Sequence, residues 1–203
     1  MEGLFALLIG IGLSAACGFR VFVPLLVMSL AAQTGHLDLA EGFKWVATPL
    51  AAGALGVATV LEIAAYTVPW IDNLLDSVAT PAAIVAGILV TAAVLPGMSP
   101  FFRWSLAVIA GGGSAGFIQA STVLARATSS TATGGLANPL LSAAEAGGSL
   151  LFSVLAILLP FVAALLFLFL LFRVLRKIYR RFTTHRPPRT GLPAGPEGPS
   201  PGS

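Results

Sequence analysis

The sequence predicts an all-α membrane protein, a polytopic bundle of five or six transmembrane segments. Of its 203 residues, 57% are hydrophobic and 9% are charged, whereas a soluble domain carries about a quarter charged residues. The apolar runs are long and continuous, unlike the alternating strands of roughly ten residues that build outer-membrane barrels. Seven of the eleven Lys and Arg residues lie at or after Arg173, so the basic charge is concentrated at one end of the chain.

Apolar runs separated by short polar stretches give the order of the predicted helices. They cover residues 3–32, 45–68, 81–95, 104–125 and 140–172. The first is interrupted only by Arg20. The last is longer than a hydrocarbon core of about 30 Å requires. It is therefore either one tilted helix or a re-entrant piece, Leu140–Leu151, followed by a helix that Pro160 kinks. Residues 1–181 are predicted to form the bundle, and residues 182–203 a disordered Pro/Gly-rich tail.

Charge sets the predicted topology. The basic end of the chain is expected in the cytoplasm by the positive-inside rule. With five spans, Lys44 and Arg103 also fall inside. The acidic connection that carries Asp72 and Asp76 then falls outside, together with the N-terminus.

Two short stretches of the first half return in the second half. Residues 14–19 (SAACGF) are echoed by 113–117 (GSAGF), and 73–76 (NLLD) by 138–142 (NPLLS). Small transporters are often built from inverted repeats that leave such traces. With five simple spans, the helices of only one echoed pair cross the membrane in opposite directions, as an inverted repeat requires. If Leu140–Leu151 is re-entrant, the helices of the other pair also run in opposite directions. Chance similarity in an Ala/Gly/Leu-rich chain is the competing explanation. The glycine-rich run 111–116 indicates close helix packing or a broken helix.

Ionisable residues inside the apolar runs are the candidate site residues, because such groups are costly in a membrane and are functional candidates by default. Arg20 is either a structural partner of Glu62 or Asp72, or a group that binds a carboxylate or phosphate through its planar fork. Glu62 and Tyr66 are four residues apart and share a helix face. They form either an internal hydrogen-bond network or a site that takes a proton or cation.

Further polar positions complete the candidate set. Asp72, Asn73 and Asp76 form either an exposed acidic loop or a group of carboxylates that attracts a cation. Their counterparts in the second half are Gln119, Asn138 and Glu145.

The sequence contains no catalytic or metal-binding motif, and we expect no metal and no cofactor. The single Cys17 cannot form an intrachain disulfide or a cysteine-cluster metal site. His36 and His185 lie in a loop and in the tail, away from the apolar segments. An intramembrane aspartyl enzyme that uses Asp72 and Asp76 is the remaining catalytic alternative. We expect no nucleic-acid partner, and a homodimer is compatible with so small a bundle.

Residues 12–32, 61–83, 109–116 and 133–149 carry long motifs that resemble a bacterial membrane family, domain of unknown function 4126. They include GLSAACGFRVFVPLL, LEIAAYTVPWIDNLLDSVATP and TGGLANPLLSAAEAGGS. The resemblance covers about residues 5–175. It implies a multi-pass protein of the bacterial inner membrane, and it implies no reaction or substrate. The segment Gly18–Pro24 is also similar to the Arg-Phe-x-Pro motif of DedA-type lipid-carrier flippases, although Val21 interrupts the Arg-Phe pair.

These observations lead to two hypotheses about function. The first is a small transporter or flippase-like protein, in which Arg20 binds a small anionic solute or a lipid phosphate and the carboxylates take a proton or cation. The second is a membrane scaffold or assembly factor, in which the same polar residues only lock the helices together.

Overall fold

A computed structural model of the protein describes residues 2–66 and 69–184, with side chains throughout except at 69–76, 178 and 181–184. Within these ranges every regular element is helical. The elements are α1 (Glu2–Cys17), α2 (Phe22–Gln33), a 3₁₀ helix (Glu41–Ala47), α3 (Pro49–Ala65), α4 (Pro69–Ala93), α5 (Pro100–Leu106), a π-helical segment (Ala107–Gly112), α6 (Gly113–Thr133), α7 (Asn138–Leu158) and α8 (Pro160–Thr184).

Two of the helices are long and apolar enough to cross a membrane. They are the continuous helix Pro100–Thr133, which joins α5, the π-helical segment and α6, and the helix Asn138–Leu158. A third span results if the 3₁₀ helix and α3 are counted together, although they meet at an angle of 70°. The described residues also contain shorter apolar helices at Glu2–Cys17, Phe22–Gln33 and Ser77–Ala93. The predicted helical membrane class is therefore supported, with fewer qualifying spans than the five or six expected.

The chain turns back after α1, so the single first helix predicted for residues 3–32 is wrong. A Cβ on Gly3, at the start of α1, would lie 3.3 Å from Met98. At the end of α2, Ser29 Oγ donates to Val46 O at 2.6 Å. The 3₁₀ helix that contains Val46 is linked to the end of α4, which precedes Met98: Ala40 N donates to Ala93 O at 2.8 Å. Helices α1 and α2 thus form a hairpin that opens at this end of the bundle, which we call the near end.

Gly18 and Glu62 explain the reversal. A Cβ on Gly18 would lie 2.5 Å from Ala115 O and 2.6 Å from Ile118 Cβ, so only glycine lets the end of α1 pack this closely against α6. The first two amides of the returning chain, Val21 N and Phe22 N, donate to the Glu62 carboxylate. A long-range carboxylate therefore replaces the hydrogen bonds that a continuous helix would have supplied.

The hairpin changes which charged segments lie at the same end of the bundle. Helix α8 starts at the near end, where the rings of Phe5 and Phe161 are 5.0 Å apart. It then runs parallel to α1, and Phe19 and Val174 line one groove at the opposite end, the far end. Arg173, Arg176, Lys177 and Arg180 of α8 therefore lie at the far end, together with the start of α4, whereas Lys44 and Arg103 lie at the near end. The expected topology had placed Lys44 and Arg103 beside the basic tail and the acidic connection opposite it.

Three predicted helix boundaries also move. Helix α4 begins at Pro69 instead of Pro81, so the acidic connection forms its first turns. Helix α6 continues to Thr133 through much of the predicted loop, and the chain reverses at two glycines of positive φ, Gly134 and Gly135. Residues 140–172 are split at Leu159, not after Leu151, because proline disfavours the α conformation in the residue before it. The predicted disordered tail from His185 onward lies outside the described residues.

Small residues allow the central helices to approach closely, which confirms the packing interpretation of the glycine-rich run. A Cβ on Gly87 of α4 would lie 2.6 Å from Ala115 Cβ and 2.9 Å from Gly111 O. Thr91 Oγ1 of α4 donates to Gly10 O of α1 at 3.2 Å. Packing of this kind substitutes for the hydrophobic effect, which does not drive helices together in lipid.

Candidate functional site

Arg20 lies in the turn between α1 and α2, at the far end of the bundle, and is 1% exposed. Its Nη2 donates to Ser142 O at 3.1 Å and to Ser142 Oγ at 2.5 Å. The same atom lies 3.4 Å from Glu145 Oε2. The Nε and Nη1 atoms are buried and have no hydrogen-bond partner. Because Nε carries one N–H group and Nη1 carries two, three of the five guanidinium donors have no acceptor.

The turn holds Arg20 in place through its backbone. Phe19 N and Arg20 N both donate to Ala16 O, at 3.0 Å and 3.2 Å. Ser149 Oγ of α7 donates to the same carbonyl at 3.0 Å. The last turn of α1 is therefore fixed to α7, and the guanidinium projects toward the first two turns of α7.

Arg126 of α6 forms the closest ion pair among the described residues. It is 4% exposed, its Nε donates to Glu145 Oε1 at 2.9 Å, and its Nη2 contacts Glu145 Oε2. Two parallel contacts of this kind give an arginine–carboxylate pair both strength and orientation. Since Arg20 also approaches Glu145 Oε2, one buried carboxylate lies between two buried guanidinium groups.

Tyr66 joins the two arginines through its ring. The guanidinium carbon of Arg20 is 3.7 Å from the ring centroid, and that of Arg126 is 4.5 Å from it. A cation over an aromatic face is attracted by the ring quadrupole, more strongly when water is excluded. Tyr66 is the C-cap residue of α3, so the end of this helix brings the ring to the arginine pair.

Glu62 does not pair with Arg20, contrary to one of the predicted alternatives. Its Oε1 accepts from Val21 N at 2.8 Å and its Oε2 accepts from Phe22 N at 3.0 Å. A carboxylate at a helix N-terminus is stabilised by the partial positive charge there, about half an elementary charge. Glu62 therefore compensates the partial positive charge at the N-terminus of α2, and it compensates the charge of Arg20 only in part.

Two open grooves flank this polar cluster. The first, the α2–α4 groove, has a volume of about 480 Å³ and has Glu62 and Tyr66 at one end. Its apolar walls come from α2, α3 and α4 and include Val21, Phe22, Ala58, Ala65, Val78 and Ala82. The second, the α6–α8 groove, has a volume of about 280 Å³, with Glu145, Ser121 and Thr122 among otherwise mostly apolar walls.

The structure thus brings together three of the predicted site residues, Arg20, Tyr66 and Glu145. Glu62 lies next to them, because it accepts from the amide of Val21, the residue after Arg20. Gln119 is buried on α6, two turns before Arg126. Asn138 lies at the start of α7, where its Nδ2 donates to Ser130 Oγ at 3.1 Å. The side chains of the remaining three predicted residues, Asp72, Asn73 and Asp76, lie outside the described residues.

Sequence reasoning missed Arg126 and Ser142. Arg126 comes directly after the predicted helix of residues 104–125, at the edge of a polar stretch, and was not selected as a candidate site residue. Its isolation was a usable signal, because it is the only charged residue between Arg103 and Glu145. An isolated cation and an isolated carboxylate on consecutive apolar segments predict a buried pair. Ser142 is one helical turn before Glu145. Among the described residues no three His, Cys, Asp or Glu side chains are placed to hold a metal ion.

The fold and the cluster define a class: a helical protein of membrane-type composition, with a buried pair of arginines around one carboxylate. Within that class the chain belongs to the family named domain of unknown function (DUF4126), whose family model matches residues 7–180. Comparison with curated proteins and with solved structures gives no match to the chain. The resemblance read from the sequence motifs is therefore confirmed.

Proposed function

We propose that the protein is a small transporter or flippase-like protein of the bacterial inner membrane, which binds an anionic group at Arg20. The observation that supports this proposal is a guanidinium that is 1% exposed and has two nitrogen atoms without an acceptor. Leaving such donors buried and unpaired costs about 1–3 kcal/mol or more for a charged group. The oxygens of a carboxylate or phosphate match the planar fork and would supply the missing acceptors.

Before the substrate binds, Glu145 and Ser142 are the acceptors that Arg20 has. Both contact only its Nη2 atom, and Glu145 is also held by Arg126. An incoming anion therefore does not have to displace Glu145, because Nε and Nη1 remain free to receive it. This arrangement favours reversible binding, which a transporter needs, over a closed ion pair.

The proposal includes a membrane arrangement of five spans, α3, α4, α5–α6, α7 and α8, with α1–α2 as a re-entrant hairpin. The far end is cytoplasmic in this arrangement, because the basic residues of α8 lie there. The packing of Gly12 against Ala156, at 2.6 Å for an added Cβ, and of Gly111 against Thr91 supports an internal repeat. These four residues occupy nearly equivalent positions when the two echoed motif pairs are aligned. The repeat is parallel and not inverted as expected, because α1 and α6 both run from the near end to the far end, and α4 and α7 both run back.

Transport can be tested in vesicles that contain the purified protein. Labelled inorganic phosphate and labelled acetate serve as soluble probes, and fluorescent phosphatidylglycerol serves as the lipid probe. Arg20→Lys keeps the charge but loses the fork, so we expect it to fold and to lose at least about tenfold in rate. Arg103→Gln, at the near end, is the matched control and should retain the rate. Equal rates for wild type and Arg20→Lys would contradict an anion site at Arg20.

The scaffold hypothesis is the second candidate, and the Arg126–Glu145 pair favours it. That pair is bidentate and buried, and both oxygens of Glu62 are occupied by backbone amides. Polar groups that are satisfied in this way lock helices without any ligand. Under this hypothesis no probe moves across the vesicle membrane, and Arg20→Lys changes only the stability of the protein.

A further inference from the structure

We propose that the α2–α4 groove binds an organic cation with an apolar body, whose positive charge lies beside the Glu62 carboxylate. This inference goes beyond the anion site proposed at Arg20, because it concerns a different surface and the opposite charge. Among the described residues that line the groove, Glu62 is the only one with a charged side chain, and most of the others are aliphatic. A ligand that complements this groove therefore combines a positive charge with apolar groups.

The Glu62 carboxylate has no counter-ion of its own. It is 9% exposed, and no Lys, Arg or His side chain of the described chain lies at ion-pair distance from it. Arg20 approaches Glu145 instead, at 3.4 Å. The N-terminus of α2 offsets about half an elementary charge, so part of the negative charge remains without a partner. Such a charge is costly at membrane depth, and a cation in the groove would lower that cost.

The carboxylate can still accept hydrogen bonds from a ligand. Its two oxygens accept from Val21 N and Phe22 N, and a carboxylate has about four acceptor positions. The ring of Phe22 also lines the groove, and a cation is attracted to an aromatic face. The Tyr66 ring already has the Arg20 guanidinium 3.7 Å from its centroid. We therefore place the cation between Glu62 and Phe22.

The size and position of the groove suit an organic molecule. Its volume of about 480 Å³ lies within the range of about 300–1,000 Å³ for small-molecule sites. A hard metal ion such as Ca²⁺ takes about six to eight oxygen ligands, which the aliphatic walls do not supply. Leu61 of α3 and Val78 of α4 line the groove and are 63% and 62% exposed. The groove thus opens on the outer surface of the bundle, and a lipophilic cation can enter it from the bilayer.

The test compares two probes of the same shape and opposite charge, tetraphenylphosphonium and tetraphenylborate. Isothermal titration calorimetry measures their binding to the purified full chain in a neutral detergent. We expect the wild type to bind tetraphenylphosphonium at least about tenfold more tightly than tetraphenylborate, equivalent to 1.4 kcal/mol. Glu62→Gln keeps the size of the side chain and removes its charge, so this variant should lose the preference.

A second variant tests the groove without changing the carboxylate, because Glu62→Gln also weakens the start of α2. Ala82→Trp fills the groove with an indole. Val60→Trp places the same side chain on the outer face of α3, where Val60 is 66% exposed, and is the matched control. We expect Ala82→Trp to weaken tetraphenylphosphonium binding by at least about tenfold and Val60→Trp to bind it like the wild type. Thermal unfolding without ligand shows which variants are folded.

The inference is overturned if the wild type binds neither probe, or binds both equally well, because the groove then does not select a positive charge. Unchanged binding by Ala82→Trp would place the cation elsewhere. An unchanged preference in folded Glu62→Gln would exclude the carboxylate as its partner; if that variant does not fold, the two probes and Ala82→Trp decide. Arg20→Lys should bind tetraphenylphosphonium like the wild type while losing anion transport, so the two sites are tested separately. A loss of cation binding in Arg20→Lys would show that there is no separate cation site.

Discussion

Replacing Glu145 by Gln tests the charge cluster most directly. The substitution keeps the size of the side chain and removes the one carboxylate between Arg20 and Arg126. Two guanidinium groups, 1% and 4% exposed, are then left with like charge and a neutral neighbour. We therefore expect the free energy of unfolding to fall substantially.

The size of the effect follows from burial. Breaking a buried ion pair by removing one partner costs about 3–5 kcal/mol, because the remaining charge is uncompensated. The exposed pair of Lys44 and Glu41, 2.6 Å apart, provides a matched control in the same chain. Glu41→Gln should cost no more than about 1 kcal/mol, the usual range for surface pairs.

Reversible unfolding of the purified protein by a denaturing detergent would measure both losses. A double-mutant cycle would then assign the coupling. We expect the coupling between Arg126 and Glu145 to exceed that between Arg20 and Glu145, because only the first pair is bidentate. The reasoning would be refuted if Glu145→Gln and Glu41→Gln lost the same stability, or if the Arg126–Glu145 coupling were absent.

Two further predictions concern the fold. In a Cys17→Ala background, cysteines at Ser77 and after the C-terminus should be labelled from the same side of the membrane and a cysteine at Lys44 from the other; labelling of Lys44 and the C-terminus from one side, with Ser77 on the other, would restore five simple spans without a hairpin. Gly18→Ala should lower the free energy of unfolding by at least about 1–3 kcal/mol through overpacking, whereas Gly53→Ala, which has no neighbour within 4 Å of an added Cβ, should be neutral or stabilising in the same unfolding assay. Equal effects of the two alanines would show that the end of α1 does not pack closely against α6.

Local chemistry made several parts of this fold predictable. The turn at residues 96–100 follows from its glycine and prolines, and Gly97 has a φ of 76°. The close packing of the glycine-rich run follows from the small side chains that helices in lipid require. The choice of charged residues within apolar runs depends on solvation alone, and two residues selected in this way, Arg20 and Glu145, are buried beside each other; their role in binding stays a prediction.

Long-range contacts made the rest unpredictable. Apolar residues continue on both sides of Arg20, so hydropathy gives no sign that α1 stops at Cys17. The reversal depends on Glu62, about forty residues away, which accepts from Val21 N and Phe22 N. Partner choice failed for the same reason: the sequence offered Glu62 as a partner of Arg20, whereas the fold uses its carboxylate to stabilise the start of α2.

The hairpin and the charge cluster have a common physical origin. A continuous helix through Arg20 would have carried its guanidinium along the bilayer-facing length of a span, where a single charge is costly. By ending α1 at Cys17, the chain places Arg20 at the far end, where α3 contributes the Tyr66 ring and α7 contributes Ser142 and Glu145. The same turn exposes two backbone amides, which Glu62 satisfies. The cost of one buried arginine is thus distributed over a helix N-terminus, an aromatic ring and a carboxylate that Arg126 also holds. Nε and Nη1 of Arg20 are left without partners, whereas Arg126 holds Glu145 through two contacts, and this is why we propose the binding of an anion at Arg20 and a structural role for Arg126.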